Sequence, residues 1–122
     1  MISIVMAYKV KLLQPAIDFM GGLSSRLRAK VVRTIELLRE FGPLLREPHS
    51  KKVSDWPGLF ELRVSLGHDT CRLFYFWHES QFFVVTSGYV KKGMKLEQRE
   101  LNRASSLMKR FIEETGGRHE GS

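Results

Sequence analysis

The sequence predicts an α+β fold: a small antiparallel or mixed sheet of about four strands, with two helices in the N-terminal half and a third at the C-terminal end. Three observations predict it. Between Leu59 and Val90 three apolar, aromatic-rich runs follow one another across short turn segments, the pattern of antiparallel strands. Leu27, Val31, Ile35, Leu38 and Phe41 recur at helical spacing, and so do Leu101, Ala104, Met108, Phe111 and Ile112. A chain of 122 residues has room for one core, so residues 1–115 read as a single domain and 116–122 as a disordered tail.

The elements follow in order. Residues 1–5 read as a dispensable extension. Tyr8–Leu13 (YKVKLL) is the first strand, and Pro15–Met20 is a short helical turn closed by Gly21-Gly22. Ser24 or Ser25 offers an N-cap for the next helix, which Gly42-Pro43 stops. Leu44–Gly58 reads as a loop carrying Arg46, His49, Lys51 and Lys52. In the strand Leu59–Leu66, Phe60, Leu62, Val64 and Leu66 point one way, and Glu61, Arg63 and Ser65 the other. Gly67-His68-Asp69 is a tight connection to Thr70–His78, and Glu79-Ser80 turns the chain into Gln81–Val90. Both of these strands are apolar on both faces, hence central, but alternation does not say which face is which. The last helix, Leu96–Glu114, has Glu97 and Glu100 in its first turn and Lys109 and Arg110 late, as the helix dipole favours, and Gly116-Gly117 ends it.

Composition narrows the function. With 43% hydrophobic and 27% charged residues the chain is globular, and its net charge of +7 calls for an acidic partner. The single Cys71 cannot form an intramolecular disulfide, which fits a reducing, cytoplasmic setting, and within an apolar run it reads as an inert buried thiol. No run is long and apolar enough to span a bilayer, and no membrane partner is expected. The four histidines show no paired metal-ligand spacing, and neither a phosphate-binding G-x-x-x-x-G-K-S/T loop nor a G-x-S-x-G elbow occurs. Any chemistry here is expected to need no metal and no cofactor.

What remains is a set of cations on strands. Arg63 and Arg72 are embedded in apolar runs, and the third run ends in Lys91, Lys92 and Lys95. Fixed cations beside aromatic side chains suit a polyanion with stackable rings, and RNA is the first such ligand. Arg26, Lys30 and Arg33 on one helical stripe, with Arg46, Lys51 and Lys52 in the loop, are candidate RNA-backbone contacts; the plainer reading is a solvated charged surface. For Arg63 and Arg72 the plainer reading is an arginine paired with Glu61 or Glu79 that steadies the sheet.

The order LLREFGPL, Lys51-Lys52-Val53, LFELRVS, CRLFYF, VVTSGYVKKGMK and a charged helix resembles the HigB branch of the RelE/ParE-fold toxins, over roughly residues 7–114. The resemblance implies a RelE-like sheet with two N-terminal helices packed on one face. It implies the toxin of a type II toxin–antitoxin pair, a metal-independent endoribonuclease that enters the ribosomal A site against the 16S rRNA surface and cuts mRNA. It also implies a cognate antitoxin, a small helix-turn-helix protein, as partner. Such cleavage uses the RNA 2′-hydroxyl: a base removes its proton, cations stabilise the phosphate, and the leaving oxygen is protonated. Arg63 and Arg72 suit the phosphate. Lys91, Lys92 and Lys95 hold it or, if buried enough, supply the base, and Tyr89 or Tyr75 stacks on a base or aids proton transfer. Two positions depart from the pattern. Relatives often carry His where this chain has Ser87, a proton carrier lost; relatives continue K-K-T with a proline nearby, where Gly93 follows Lys92 here. Two rivals stand beside this reading: a ParE-like inhibitor of gyrase acting by protein contact, and a non-catalytic nucleic-acid-binding module.

Overall fold

Three antiparallel strands joined by tight turns form the middle of the molecule, and the remaining elements are arranged around them. The structure, a computed structural model, describes the backbone of residues 7–120 and side chains as far as residue 116. The proposed extension at 1–5 and the last two residues of the expected tail lie outside the described residues. In chain order the elements are β1 (Lys9–Leu12), α1 (Gln14–Gly21), α2 (Ser25–Phe41), a 3-10 turn (Gly42–Leu44), β2 (Ser50–Lys52), β3 (Phe60–Leu66), β4 (Asp69–His78), β5 (Phe82–Val90) and α3 (Met94–Glu120). The α+β class is as the sequence predicts.

The sheet has five strands, in the order β1-β5-β4-β3-β2. β1 runs parallel to β5 and the other pairs are antiparallel, so the sheet is mixed. The strand that sequence reasoning missed is β2. Its three residues, Ser50, Lys51 and Lys52, are polar and carry no hydrophobic alternation. They become a strand only because β3 offers a free edge, where Ser50 lies opposite Leu62 and Lys52 opposite Phe60.

Two helices cover one face. Ser24 caps α2 by accepting from the Leu27 amide, and Leu27, Val31, Ile35 and Leu38 are buried against Leu62, Val64, Leu73 and Tyr75. Phe41 departs from the expected stripe: it is 45% exposed, because the helix ends there and Gly42 (φ +55°) turns the chain away. A side chain at Gly42 would also collide with the Tyr8 ring. The opposite face is closed by α3, whose Leu101, Ala104 and Met108 pack with Leu59, Phe74 and Tyr89. Phe111 stands edge-on to Phe76 and His78, while Ile112, one position round the helix, is exposed. The helix starts at Met94 rather than Leu96 and continues past Gly116-Gly117, since glycine weakens a helix by about 1 kcal/mol without forbidding it.

One irregularity sets the geometry of the site. The register of β4 and β5 slips between Phe74, opposite Ser87, and Tyr75, opposite Val85, which leaves Thr86 as an extra residue in β5. Simple alternation would put Tyr89 on the same face as Val85, against α1 and α2. The bulge reverses the parity beyond it, so Tyr89 joins Phe74 on the α3 face, 5.8 Å away and stacked.

Candidate functional site

Arg63 lies opposite Arg72 in the β3–β4 pair, and Arg72 lies opposite Tyr89 in the β4–β5 pair. These three residues form one cross-strand row on the α3 face. Like charges directly opposite one another repel, so the row needs anions. Glu61, two residues before Arg63 on the same face, accepts from Arg63 Nε at 2.8 Å, and its other oxygen lies 3.8 Å from Arg72 Nη1. Glu97, in the first turn of α3, accepts from Arg72 Nη1 at 2.6 Å. Two guanidinium groups are therefore matched by two carboxylates, which allows Arg72 to be only 8% exposed. The pairing with Glu61 that sequence reasoning weighed for these arginines is present; Glu79, the other carboxylate weighed, lies 3.7 Å from His78.

Tyr89 is 4% exposed. Burial pushes its phenol up, Glu97 and Glu61 add to that, and Arg72 opposes it. At neutral pH the phenol stays protonated and is a donor, not a base. The Tyr89 hydroxyl and Arg72 Nε make no hydrogen bond that meets ordinary geometry, although the two side chains interact electrostatically. Tyr75, the other tyrosine considered, is on the opposite face: its hydroxyl meets Ser50 Oγ, and burial raises its phenol too.

Beside the row opens a cleft of about 480 Å³, lined by Lys30, Thr34, His49, Arg63, Arg72 and Lys91 among others. It draws on α2, the loop before β2, β3, β4 and the end of β5. Lys30 donates to the Ser65 carbonyl, and the Lys91 amide donates to Thr70 at 2.8 Å, which fixes the chain as it leaves the sheet. Of the predicted residues, Arg63, Arg72, Lys91 and Lys30 thus meet in one place, with Tyr89 next in the row. Lys51 and Lys52, on β2, share a neighbouring groove with Arg46 and Phe60. They also share a smaller hollow with Glu61, Arg63 and Glu97. Lys92, Lys95, Arg26 and Arg33 are exposed and line none of these spaces. Lys91 is exposed as well, so none of the three lysines has the burial on which a lysine base depends.

Sequence reasoning did not place Glu97 or His49 at the site. Glu97 was legible only as a helix-dipole partner, and its contact with Arg72 spans 25 positions of chain. His49 is one exposed residue in a polar loop, and only the pairing of β2 with β3 brings it beside Arg63. Among the described residues no cluster of three or more His, Cys, Asp or Glu is placed to hold a metal ion, and no helix is long and apolar enough to cross a membrane.

Comparison with known proteins agrees with this architecture. A variant of the E. coli toxin RelE in the free state superposes with a TM-score of 0.59 at 22% identity, over 83% of this chain and 96% of that one. A chain of the intact E. coli RelBE toxin–antitoxin complex does so with a TM-score of 0.53 at 19% identity, over 72% and 99%. At these identities the likeness establishes the RelE fold. A search of curated proteins finds no match. The pattern of the family described as "Phage derived protein Gp49-like (DUF891)" matches residues 18–109. That span begins inside α1, ends inside α3 and includes every residue of the cleft, and the chain belongs to this Gp49-like family.

Proposed function

We propose that this protein is a HigB-like toxin of a type II toxin–antitoxin pair, a cytoplasmic, metal-independent endoribonuclease that cuts mRNA on the ribosome. The observation that carries the reading is the meeting of Arg63, Arg72, Lys30 and Lys91 at one cleft, which opens where the β3–β4 hairpin passes between α2 and the chain leaving β5. A scissile phosphate seated there meets a guanidinium held rigid by the sheet and already withdrawn from water, where a charge-assisted bond is strongest. The 2′-oxygen attacks phosphorus, the bond to the 5′-oxygen breaks, and a 2′,3′-cyclic phosphate and a 5′-hydroxyl result. Arg72 and Arg63 hold the phosphate oxygens. Tyr89, next in the row and buried, keeps its proton and backs Arg72 from behind. Lys51, Lys52 and Arg46 follow the RNA backbone beyond the scissile bond. The likeness to a chain of the RelBE complex fits a cognate antitoxin as partner, here a small helix-turn-helix protein.

One observation favours a second reading. Both arginines are neutralised by Glu61 and Glu97, as in a charged row whose task is architectural, and a ParE-like inhibitor binding gyrase through its surface needs nothing more. Inducible expression with primer extension on cellular transcripts, run beside a gyrase supercoiling assay, separates the two. Discrete transcript ends with supercoiling intact support the ribonuclease; inhibited supercoiling with intact transcripts refutes it.

A further inference from the structure

Cleavage through the 2′-hydroxyl needs a group that accepts a proton near neutral pH, and most groups at the site are unsuited to it. Glu61 is bound by Arg63 and approached by Arg72, and Glu97 is bound by Arg72. Tyr89 is held in its protonated form. Lys30 and Lys91 stand in open positions, without the burial on which a lysine base depends. One other titratable side chain lines the cleft. His49 faces the same space as Arg63, Arg72 and Lys91, and it is exposed there. Its backbone is anchored on both sides: its amide donates to the Arg46 carbonyl at 3.1 Å, and its carbonyl accepts from the Arg63 amide at 2.9 Å. The imidazole thus stands on a fixed support adjoining the strand that carries Arg63, and among the described residues its ring makes no hydrogen bond or ion pair.

The other described histidines are elsewhere. His78 is buried at the far end of β4, against Phe111 and 3.3 Å from Thr115 Oγ1. His68 sits in the β3–β4 turn and lines none of the spaces described above.

We propose that His49 is the proton acceptor of the cleft, taking the 2′-hydroxyl proton of the RNA nucleotide whose phosphate is held by Arg63 and Arg72. The proposal rests on the ribonuclease reading. As the bond from O2′ to phosphorus forms, the 2′ proton passes to the neutral imidazole. The bond from phosphorus to O5′ breaks, O5′ takes a proton from solvent, and the imidazolium returns its proton to water. Imidazole is suited to this because it is neutral and basic close to working pH, and because its neutral form adds no charge to a cationic cleft.

The test is single-turnover cleavage of mRNA on programmed ribosomes by the purified protein and its His49→Ala, His49→Gln and His68→Gln variants, from pH 5.5 to 8.5. A second substrate carries sulfur in place of the scissile O5′, a leaving group that needs no proton. Wild type and His68→Gln are expected to share an acid limb, losing rate as pH falls. Both His49 variants are expected to fall by about 10²–10⁴-fold, to lose that acid limb and to keep binding the programmed ribosome. The defect should persist on the sulfur substrate, since a missing base is not relieved by a better leaving group. Cleavage by His49→Ala within about threefold of wild type overturns the proposal, and so does rescue by the sulfur substrate, which would make His49 an acid. Loss of ribosome binding in step with rate overturns it too. A wild-type protein that cuts nothing refutes the ribonuclease reading itself, a failure distinct from equal cleavage by wild type and variant.

Discussion

Replacing Arg72 by alanine removes a guanidinium whose structural and chemical contributions differ in size, and the difference is measurable. The substitution deletes the 2.6 Å pair with Glu97 and the 3.8 Å approach to Glu61. The Glu97 side chain is 30% exposed and can turn to water, so that pair contributes about 0.5–1 kcal/mol, as a partly solvated bridge does. Glu61 is the costlier partner, at 7% exposure, because stripping a buried carboxylate of its counter-ion costs about 3–5 kcal/mol. Yet Glu61 keeps its 2.8 Å bond from Arg63, so only a fraction of that, about 1 kcal/mol, is lost. The sum of about 2 kcal/mol lies inside the roughly 5–15 kcal/mol that holds a domain together. It lowers Tm by roughly 5–12 °C. The loss of one preorganised donor to a developing oxyanion slows chemistry by about 10²–10³-fold. The assay pairs thermal denaturation of the variant with growth arrest and primer extension at matched expression. An Arg72→Ala protein that folds, arrests growth and cuts transcripts as wild type does removes Arg72 from the mechanism. A collapse of Tm by more than about 20 °C shows instead that Arg63 cannot sustain Glu61 alone and that the row is chiefly architectural.

Three other outcomes are expected. Gly88→Ala puts a Cβ 2.5 Å from Phe19 Cδ2 and 3.0 Å from Leu73 Cγ, and should cost about 1–3 kcal/mol in urea denaturation; an unchanged midpoint contradicts the packing of α1 on β5. Cys71, Tyr75 and Tyr89 are all raised above their ordinary 9.0, 10.0 and 10.0, chiefly by burial. Above about pH 9 the folded state therefore holds more protons than the unfolded one. Their contribution is complete below that pH and is lost as pH rises through the folded-state values, so unfolding free energy should decline from pH 9 to 11, and a flat profile would falsify the burial of these groups. Glu97→Gln keeps the shape but removes the charge that competes for Arg72, and should tighten RNA binding by about two- to fivefold while cleavage falls by less than tenfold. A hundredfold fall in rate with binding retained would hand the proton-accepting role to Glu97.

Much of the fold was readable from the hydrophobic pattern. The buried stripe of α2 came from side chains that repeat every three to four positions, β3 from alternation, and β4 and β5 from continuous apolar runs bounded by turns. Where the sequence misled, no local pattern existed to read. Lys51 and Lys52 are strand residues only by grace of the β3 edge, and Phe41 fits the helical stripe but falls where the chain leaves the core. The site was legible in part for the same reason. Arg63 and Arg72 declared themselves by standing in apolar runs, and a tight turn between them implies opposition across a hairpin. Tyr89 could not be assigned to their face, because the one residue that decides it, Thr86, is extra only relative to β4. His49 and Glu97 reach the site through tertiary contacts alone.

The carboxylates that occupy the arginines need not oppose catalysis. Bringing an unpaired guanidinium to 8% exposure would cost several kcal/mol, and a sheet built that way would be poorly stable at rest. With Glu61 and Glu97 in place, the desolvation of Arg72 is already offset in the resting protein. A phosphate that displaces a carboxylate then exchanges one anion for another, and the row need not reorganise. The two partners differ in how readily they leave. Glu61 is fixed in a central position, bonded to Arg63 and 7% exposed. Glu97 hangs from the first turn of α3 at 30% exposure, next to the segment Lys91–Lys95 that leads out of the cleft. The asymmetry makes Glu97 the exchangeable counter-ion and Glu61 the permanent one. On this view the architectural and catalytic readings of the arginines are not alternatives, because the pairing that steadies the sheet also keeps Arg72 dry and oriented for an incoming phosphate.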